Sequence, residues 1–414
     1  MTIKQISPSP SPAIHVEELL CFTNSNFPFQ YFDERTIAFL NSLSSQILKN
    51  AELRGLPAFV ALAYWLRKAN IETLKQPGFE DIGNKQTIIR QPLGTVFHVC
   101  PSNVDTIFLY SLAISLLAGN KNILRVSNRM ESHALDILFG IINQTIETEN
   151  EGIFKPYITV VAYGHDEAIN SFMSSHADAR IIWGGDKTVQ LFKGFATSPR
   201  CRDIAFPDRL SFSIIKASSI VQQDDISLKE TCRLLYNDAY VFDQLGCSSP
   251  QVIFFLGDEA TCEKATALVY DGVHSRAKEK YSSDPAALAS LKLNQLTSDA
   301  IEDKISSSKR ATNLLVFAQL KEVPTTEMHS CGGGYFYTKN IESISHLSAF
   351  ISKKIQTAGY FGLDATDLQA LSQMAAGKGL DRIVPLGQAL AFNNYWDGYH
   401  LLNQLTHLQY LQNL

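Results

Sequence analysis

The stretch Thr95-Val96-Phe97-His98-Val99-Cys100-Pro101-Ser102-Asn103-Val104-Asp105, the apolar run Ile107 to Ala118, and then Gly119-Asn120-Lys121-Asn122-Ile123-Leu124-Arg125-Val126-Ser127 together decide the fold. Short β-branched runs flank a segment with helical apolar spacing, so the order is strand (Thr95 to Val99), helix from about 104, strand (Asn122 to Val126). The pattern goes on with a helix from about 131, a strand Tyr157 to Val161, a helix from about 166 and a strand Arg180 to Trp183. Strands alternating with helices predict an α/β arrangement with a helix-covered parallel sheet, whose ligands lie beyond the carboxyl ends of its strands. No G-x-G-x-x-G follows any of these strands, which argues against an ordinary Rossmann dehydrogenase.

Residues 33 to about 75 are helical in character, with Phe39, Leu43, Ile47 and then Phe59, Leu62, Ala63 and Leu66 at three- and four-residue spacing. A second αβ region runs from about 208 to 380, with strand candidates Phe212 to Ile215, Val252 to Leu256, Leu314 to Phe317 and Tyr335 to Thr338. Near the end, Leu401, Leu405, Leu408 and Leu411 predict a Leu-rich helix. At the start, Ser7-Pro8-Ser9-Pro10-Ser11-Pro12 lacks the apolar core of a secretory signal and reads as a disordered leader.

At 414 residues the chain holds two or three domains, so a cleft between domains is available for chemistry. With 45% hydrophobic residues it can bury a core, and a net charge of −5 with no basic block argues against nucleic-acid binding. The run Ile107 to Ala118 is too short to span a membrane, so a cytoplasmic protein without a transmembrane helix is expected. Seven cysteines, with no C-x-x-C pair, suggest neither a disulfide framework nor a zinc site. His98, His133, His165 and His176 show no metal spacing, so no metal is expected.

Candidate sites are of three kinds: a helix start, two strand ends and a loop. Ser102 and Asp105 read as an S-x-x-D capping box, which taken alone is only a helix cap. The strand ending Arg125-Val126-Ser127 puts a cation and a hydroxyl where a cofactor would lie, and Ile182-Trp183-Gly184-Gly185-Asp186-Lys187 ends a strand in two glycines before a helix. Third, Phe242-Asp243-Gln244-Leu245-Gly246-Cys247-Ser248-Ser249-Pro250-Gln251 is a polar loop before an apolar strand. There Gly246 leaves room beside the Cys247 thiol, and backbone N–H groups can hold an oxyanion. Gly332-Gly333-Gly334 lacks the G-K-S/T of a phosphate loop and reads as a turn.

These segments resemble the aldehyde dehydrogenase superfamily: Pro101-Ser102-Asn103 its P-x-N motif, the strand end at Arg125 its K-P-S/A motif, and Gly184-Gly185 its F-T-G-S turn. The Asp243-Gln244-x-x-Cys247-x-Ser249-Pro250-Gln251 string resembles the nucleophile loop of the fatty acyl-CoA reductases of bacterial bioluminescence. That resemblance extends to Ala61 to Asn70, to Gly379-Leu380-Asp381-Arg382-Ile383-Val384-Pro385-Leu386-Gly387-Gln388-Ala389-Leu390 and to Trp396-Asp397-Gly398-Tyr399. It implies an aldehyde dehydrogenase-like α/β fold, with a nucleotide-binding parallel-sheet domain plus an α/β catalytic domain. The expected division is a leader over 1–30, N-terminal helices and an NADP-binding domain over 31–207, a catalytic domain over 208–380, and a C-terminal segment over 381–414 suited to oligomerisation.

The resemblance further implies Cys247 as covalent nucleophile, the Asn103 amide as oxyanion donor, and Arg125, Ser127, Gly184 and Gly185 as cofactor-binding residues. NADPH is expected, because Arg125, with Arg129 adding to it, offers a cation for a 2′-phosphate and Asn128 stands where NAD-preferring relatives often have glutamate. Hydrolytic members carry a glutamate in an E-L-G-G-K segment that activates water; here that position reads Phe206, so the acyl-enzyme is expected to survive for reduction. Glu327, a candidate grip for the nicotinamide ribose, lies in Thr326-Glu327-Met328-His329, which does not match the superfamily motif. The expected activity is NADPH-dependent reduction of an acyl-CoA, or other acyl thioester, to an aldehyde. The expected partners are the acyl thioester, an acyl-protein synthetase and further copies of the chain. An acyltransferase or acyl-carrier subunit using the same cysteine, an acyl-phosphate reductase and a non-catalytic assembly protein stand as alternatives.

Overall fold

The computed structural model describes residues 1–21, 29–83, 85–101, 104–128, 132–281, 285–325, 328 and 330–412. The chain forms two compact units: Met1–Pro207 with Phe392–Leu414, and Asp208–Ala391.

The strands of the first unit up to Pro207 are β1 (Thr2–Ser7), β2 (Ser11–His15), β3 (Phe79–Gly83), β4 (Gln86–Pro92), β5 (Thr95–Val99), β6 (Lys121–Ser127), β7 (Ile158–Tyr163), β8 (Ala179–Trp183) and β9 (Arg202–Phe206). Its main sheet runs β2-β1-β7-β6-β5-β8-β9, and the five strands from β7 to β9 are parallel. Every residue of β5 and β8 is buried, which is why they read as unbroken apolar runs. The helix Ile107–Leu117 between β5 and β6 is likewise buried at each position. From β5 the chain winds one way through β6 and β7, then returns to β8 and β9, so the strand order reverses between β5 and β8. That reversal is where a doubly wound sheet takes its ligand, at the carboxyl ends.

Buried polar groups lock this order. Asn120 Oδ1 accepts from the N–H groups of Leu93 and Gly94, at 2.8 and 3.1 Å, and its Nδ2 donates to the Leu405 carbonyl. His98 lies between Ser111 Oγ and Asn122 Oδ1, at 2.8 and 3.0 Å, and burial pushes its pKa down to about 4, so it is a neutral structural imidazole.

Two expectations are corrected here. The Ser-Pro segment does not begin a disordered leader: β1 pairs antiparallel with β7, buries Ile3 against Ile169 and Met173, and pairs with β2. Its prolines fit because Pro8 and Pro10 fall between the strands and Pro12 in the outermost one, where a missing N–H costs no ladder bond. Nor is the C-terminal segment a Leu-rich helix. After a two-residue hairpin, β17 (Tyr395–Trp396) and β18 (Tyr399–His400), the helix stops after Leu401–Gln404. The strand Thr406–Gln412 then pairs with β4, leaving Leu408 and Tyr410 more than half exposed. Strand partners, which sequence spacing does not display, override the i, i+4 pattern here.

The second unit carries β10 (Leu210–Lys216), β11 (Pro250–Leu256), β12 (Ile305–Thr312), β13 (Leu315–Leu320), β14 (Tyr335–Ile341), β15 (Ile355–Phe361) and β16 (Arg382–Pro385). Their order is β12-β13-β14-β11-β10-β15-β16, parallel except for the edge strand β12. Helices Asp225–Tyr240 and Glu259–Lys280 supply Leu235, Ala239, Cys262 and Val269 to the core on one face. Leu347, Phe350 and Leu371 pack in the core of the other. Polar β12, Ile-Ser-Ser-Ser-Lys-Arg-Ala-Thr, is exposed over most of its length, as an edge that avoids further pairing should be.

Candidate active site

Cys247 lies in the loop between the helix Asp225–Tyr240 and β11. The loop reverses through Asp243 and Gln244, whose φ values of 52° and 60° are left-handed. Such a conformation persists only where surroundings hold it. Gln244, almost fully buried, donates to the carbonyls of Pro250 and Tyr335, at 2.8 and 3.0 Å, and accepts from Gly334 N at 3.0 Å. The Asp243 carboxylate accepts from Tyr281 Oη at 2.8 Å, and its carbonyl accepts from Gly333 N at 2.8 Å. The Asp-Gln pair before the cysteine is therefore scaffolding.

The three glycines 332–334 form the expected turn before β14 and also the floor of this loop. All three have positive φ, and a Cβ on Gly334 would meet Tyr240 Oη at 2.2 Å and the Leu314 carbonyl at 2.4 Å.

The half-buried Cys247 is held at two atoms. Its carbonyl accepts from Ser211 Oγ at 2.6 Å, and its Sγ accepts from Gln356 Nε2 at 3.3 Å. Gln356 Oε1 accepts in turn from Ser248 Oγ at 2.6 Å. Beside the thiol, a Cβ on Gly246 would lie 3.5 Å from Leu390 Cδ2 and 4.0 Å from Phe242 Cδ2. Ser249 Oγ would lie at 3.5 Å as well; these are ordinary contacts, so Gly246 leaves a methyl-sized space between apolar and hydroxyl neighbours and is not forced by the backbone.

Leu390 belongs to the Arg382–Leu390 string, and the structure shows what fixes that segment. The buried Asp238 carboxylate accepts from Gly387 N at 2.6 Å and Ala389 N at 2.9 Å. Arg382 donates to the carbonyls of Gln388 and Ala389, both at 3.2 Å. Burial pushes Asp238 up to about 7, opposed by these N–H groups and by Arg382. Gly387 sits at φ 87°, against Leu234.

At five of the other cysteines burial disfavours the thiolate. Burial pushes Cys201, Cys232 and Cys262 up to about 11 and raises Cys100 further. Cys331 is also raised by burial, with Lys292 opposing.

In the first unit, Arg125, Ser127, Gly184 and Gly185 all fall at the carboxyl ends of β6 and β8, on one edge of one sheet. A Cβ on Gly184 would meet Thr188 at 3.0 Å, so this glycine lets the helix Asp186–Lys193 close onto its strand. Gly185 caps that helix without a side chain, which leaves its first N–H groups to other acceptors. Ser127 is half-buried. Arg125 does not present the open cation that its sequence position suggests. It is 8% exposed, donates to the carbonyls of Gly164 at 3.1 Å and Tyr163 at 3.4 Å, and lies over the Tyr163 ring. Its Nε is buried with no hydrogen-bond partner among the described residues. A buried orphan donor, a glycine pair and an uncapped helix start fit a bound dinucleotide.

Phe206 is 3% exposed and stacks on Trp183, with ring centroids 3.7 Å apart, so nothing at that position can activate water. Trp396 of the Trp-Asp-Gly string packs near Trp183 and Tyr110, and Asp397 and Gly398 turn the hairpin with positive φ. Ser102, Asn103, Arg129 and Glu327 lie outside the described residues. The helix after β5 begins only at Ile107, with Thr106 as its N-cap and no side-chain cap, so Asp105 does not start it. Asp105 instead accepts from Ser132 Oγ at 3.4 Å. No group of side chains suited to a metal occurs among the described residues, and none of their helices is long and apolar enough to cross a membrane.

Gln356, Ser211, Ser248 and Asp238 were not found by sequence reading. Only the Ser248 position beside Cys247 carried any signal; Gln356 stands far along the chain, in a strand not predicted.

The profile of the acyl-CoA reductase (LuxC) family matches residues 73–408. The chain belongs to the LuxC family. Similar curated members are a long-chain acyl-protein thioester reductase of Vibrio harveyi, 23% identical over 72% of this chain and 59% of that protein, and one of Photorhabdus luminescens, 23% identical over 76% and 63%. A third, from Aliivibrio fischeri, is 24% identical over 41% of this chain and 33% of that protein. The chain thus spans less than two thirds of the length of these LuxC relatives. Among solved structures, aldehyde dehydrogenase C of Pseudomonas syringae, a mutant in complex with NAD+ and octanal, aligns with 100% of this chain and 93% of its own at TM-score 0.67 and 12% identity. Betaine aldehyde dehydrogenase of Staphylococcus aureus, in complex with NAD+, aligns with 99% and 90% at TM-score 0.65 and 13% identity. This chain has the aldehyde dehydrogenase fold.

Proposed function

We propose that this protein reduces a long-chain acyl thioester, carried on CoA or on a protein, to the aldehyde, using NADPH and an acyl-Cys247 intermediate. The observation that carries the reading is the half-buried Cys247, fixed by Ser211 and Gln356 on a loop braced by Gln244, in a chain of the LuxC family. In this reading the Cys247 thiolate attacks the thioester carbonyl, forming the S–C bond, while the Cys247 N–H and the Asn103 amide hold the oxyanion. The donor thiolate then leaves; with thiol pKa values near 8.5, its departure needs no strong acid. When bound, the reduced nicotinamide supplies the hydride, with Arg125, Ser127, Gly184 and Gly185 as its binding residues. Collapse of the thiohemiacetal returns Cys247 as a thiolate and releases the aldehyde. The donor is tested by offering the same long-chain acyl group on CoA and on an acyl-carrying protein and measuring aldehyde. Failure of both, or no quenching or enhancement of NADPH fluorescence on titration, overturns the reading and favours an acyltransferase.

Acyl-Cys247 is expected to hydrolyse slowly, because Phe206 cannot serve as a base. With radiolabelled acyl donor and no cofactor, label should persist on the protein. Release of free fatty acid at a rate comparable with reductive turnover would show that another base serves.

The preference for NADPH is expected to rest on Asn128, with no carboxylate to repel a 2′-phosphate, since Arg125 is engaged by the Tyr163 and Gly164 carbonyls. Asn128→Glu should lower kcat/KM for NADPH relative to NADH by about tenfold, roughly 1.4 kcal/mol. Arg125→Ala should weaken both cofactors alike. An unchanged ratio in Asn128→Glu, or a selective loss of NADPH in Arg125→Ala, would contradict this.

A further inference from the structure

Gln356 is fully buried at the start of β15, beside β10, and its side-chain amide is fixed at both ends. Two hydroxyls converge on Oε1, from Ser248 at 2.6 Å and from Thr357 at 3.4 Å. That leaves Nε2 facing Cys247 Sγ at 3.3 Å. The next residue acts on the same cysteine through Ser211: Thr357 N donates to Ser211 Oγ at 3.1 Å, and Ser211 Oγ donates to the Cys247 carbonyl. Two successive residues of one strand thus fix both the sulfur and the backbone of Cys247.

The choice of donor is informative. A protonated thiol is a weak acceptor, so a buried amide N–H aimed at it gains little. Aimed at a thiolate, the same N–H makes a charge-assisted hydrogen bond, and bonding to the charged form favours that form. A reversed amide would set its carbonyl oxygen against the sulfur and repel the thiolate, while turning the NH2 group toward the two hydroxyls. In the orientation found, both hydroxyls donate to Oε1, and Nε2 is the end of the amide that meets the sulfur.

We infer that Gln356 is a catalytic residue, whose Nε2 holds Cys247 as the thiolate before attack and again when the sulfur leaves the collapsing thiohemiacetal, with Ser248 as its positioning residue. The inference rests on the reading of Cys247 as the nucleophile and adds the group that stabilises its charge. No proton is supplied by the amide; it donates a hydrogen bond throughout and is unchanged by the cycle.

The test is the pH dependence of Cys247 alkylation by iodoacetamide, followed site by site with peptide mass spectrometry, in the full chain and in Gln356→Met, Gln356→Glu and Ser248→Ala. Gln356→Met keeps the length without the donor and should move the alkylation midpoint up by about one to two pH units, the size expected for one hydrogen bond to a charged group. Gln356→Glu sets a carboxylate beside the sulfur and should move it at least as far. Ser248→Ala, which only frees the amide to turn, should give a smaller rise. Thermal unfolding checks each fold; should Gln356→Met fail to fold, Gln356→Leu, which also lacks the donor and adds no charge, decides. A midpoint in any folded Gln356 variant that superimposes on the wild type overturns the inference. Because alkylation requires no thioester, a wild-type thiol that alkylates but takes up no acyl group overturns the reductase reading alone.

Discussion

Replacing Cys247 with alanine will abolish both uptake of an acyl group from a thioester and cofactor-dependent aldehyde formation, while NADPH binding, followed by fluorescence titration, stays nearly unchanged. The separation is expected because Arg125, Ser127, Gly184 and Gly185 belong to the first unit and Cys247 to the second. No other group can replace the thiolate, since covalent catalysis here is the step that detaches the acyl group from its carrier. Asn103→Ala should behave differently: the nucleophile remains, and loss of one oxyanion donor should lower turnover by roughly 10²- to 10³-fold. Stoichiometric acylation and reduction by Cys247→Ala would move the nucleophile elsewhere, with Cys331, half-buried beside its glycines, the first to test.

The largest effect on stability is expected at Arg180 of β8. Its guanidinium is 2% exposed and makes two bonds to Asp203, at 2.7 and 2.6 Å, and one to the Phe192 carbonyl at 2.7 Å. It thereby ties β8 to β9 and to the end of the helix Asp186–Lys193. Asp203→Ala strands a buried cation and should cost about 3 kcal/mol, read as a lower urea midpoint. Arg180→Met combined with Asp203→Leu should recover most of that loss, because neither charge is then left unpaired. If the single and double variants unfold at the same midpoint, the pair does not hold this edge of the sheet.

The parts of the fold legible in the sequence were those written in local chemistry. β5 matches its expected range, Thr95–Val99, and β6 and β8 differ by a residue or two, because strands buried on both faces in a parallel sheet are continuous apolar runs. Strands β1, β12, β15 and Thr406–Gln412 escaped, since each is defined by a partner distant in sequence or lies at an edge, where polar residues and prolines are tolerated. The candidate site divides in the same way. Cys247 and the Gly184-Gly185 turn stand out as candidates because glycine, cysteine and their neighbours form short strings. Gln356 and Asp238 could not, because a buried amide or carboxylate shows its use only when its partners are brought to it across the sheet. Arg125 shows the converse: its place at the end of β6 was legible, but the carbonyls that engage its guanidinium come from Tyr163 and Gly164 at the end of the neighbouring strand.

Peptide mapping of the wild-type protein after incubation with a long-chain acyl-CoA, without nicotinamide, shows whether Cys247 carries the acyl group. One acyl adduct per chain is expected, on the peptide containing Cys247, discharged as aldehyde when NADPH is added. An adduct on Cys331 or another residue, or a Cys247 peptide that stays unmodified while aldehyde is produced, would contradict this.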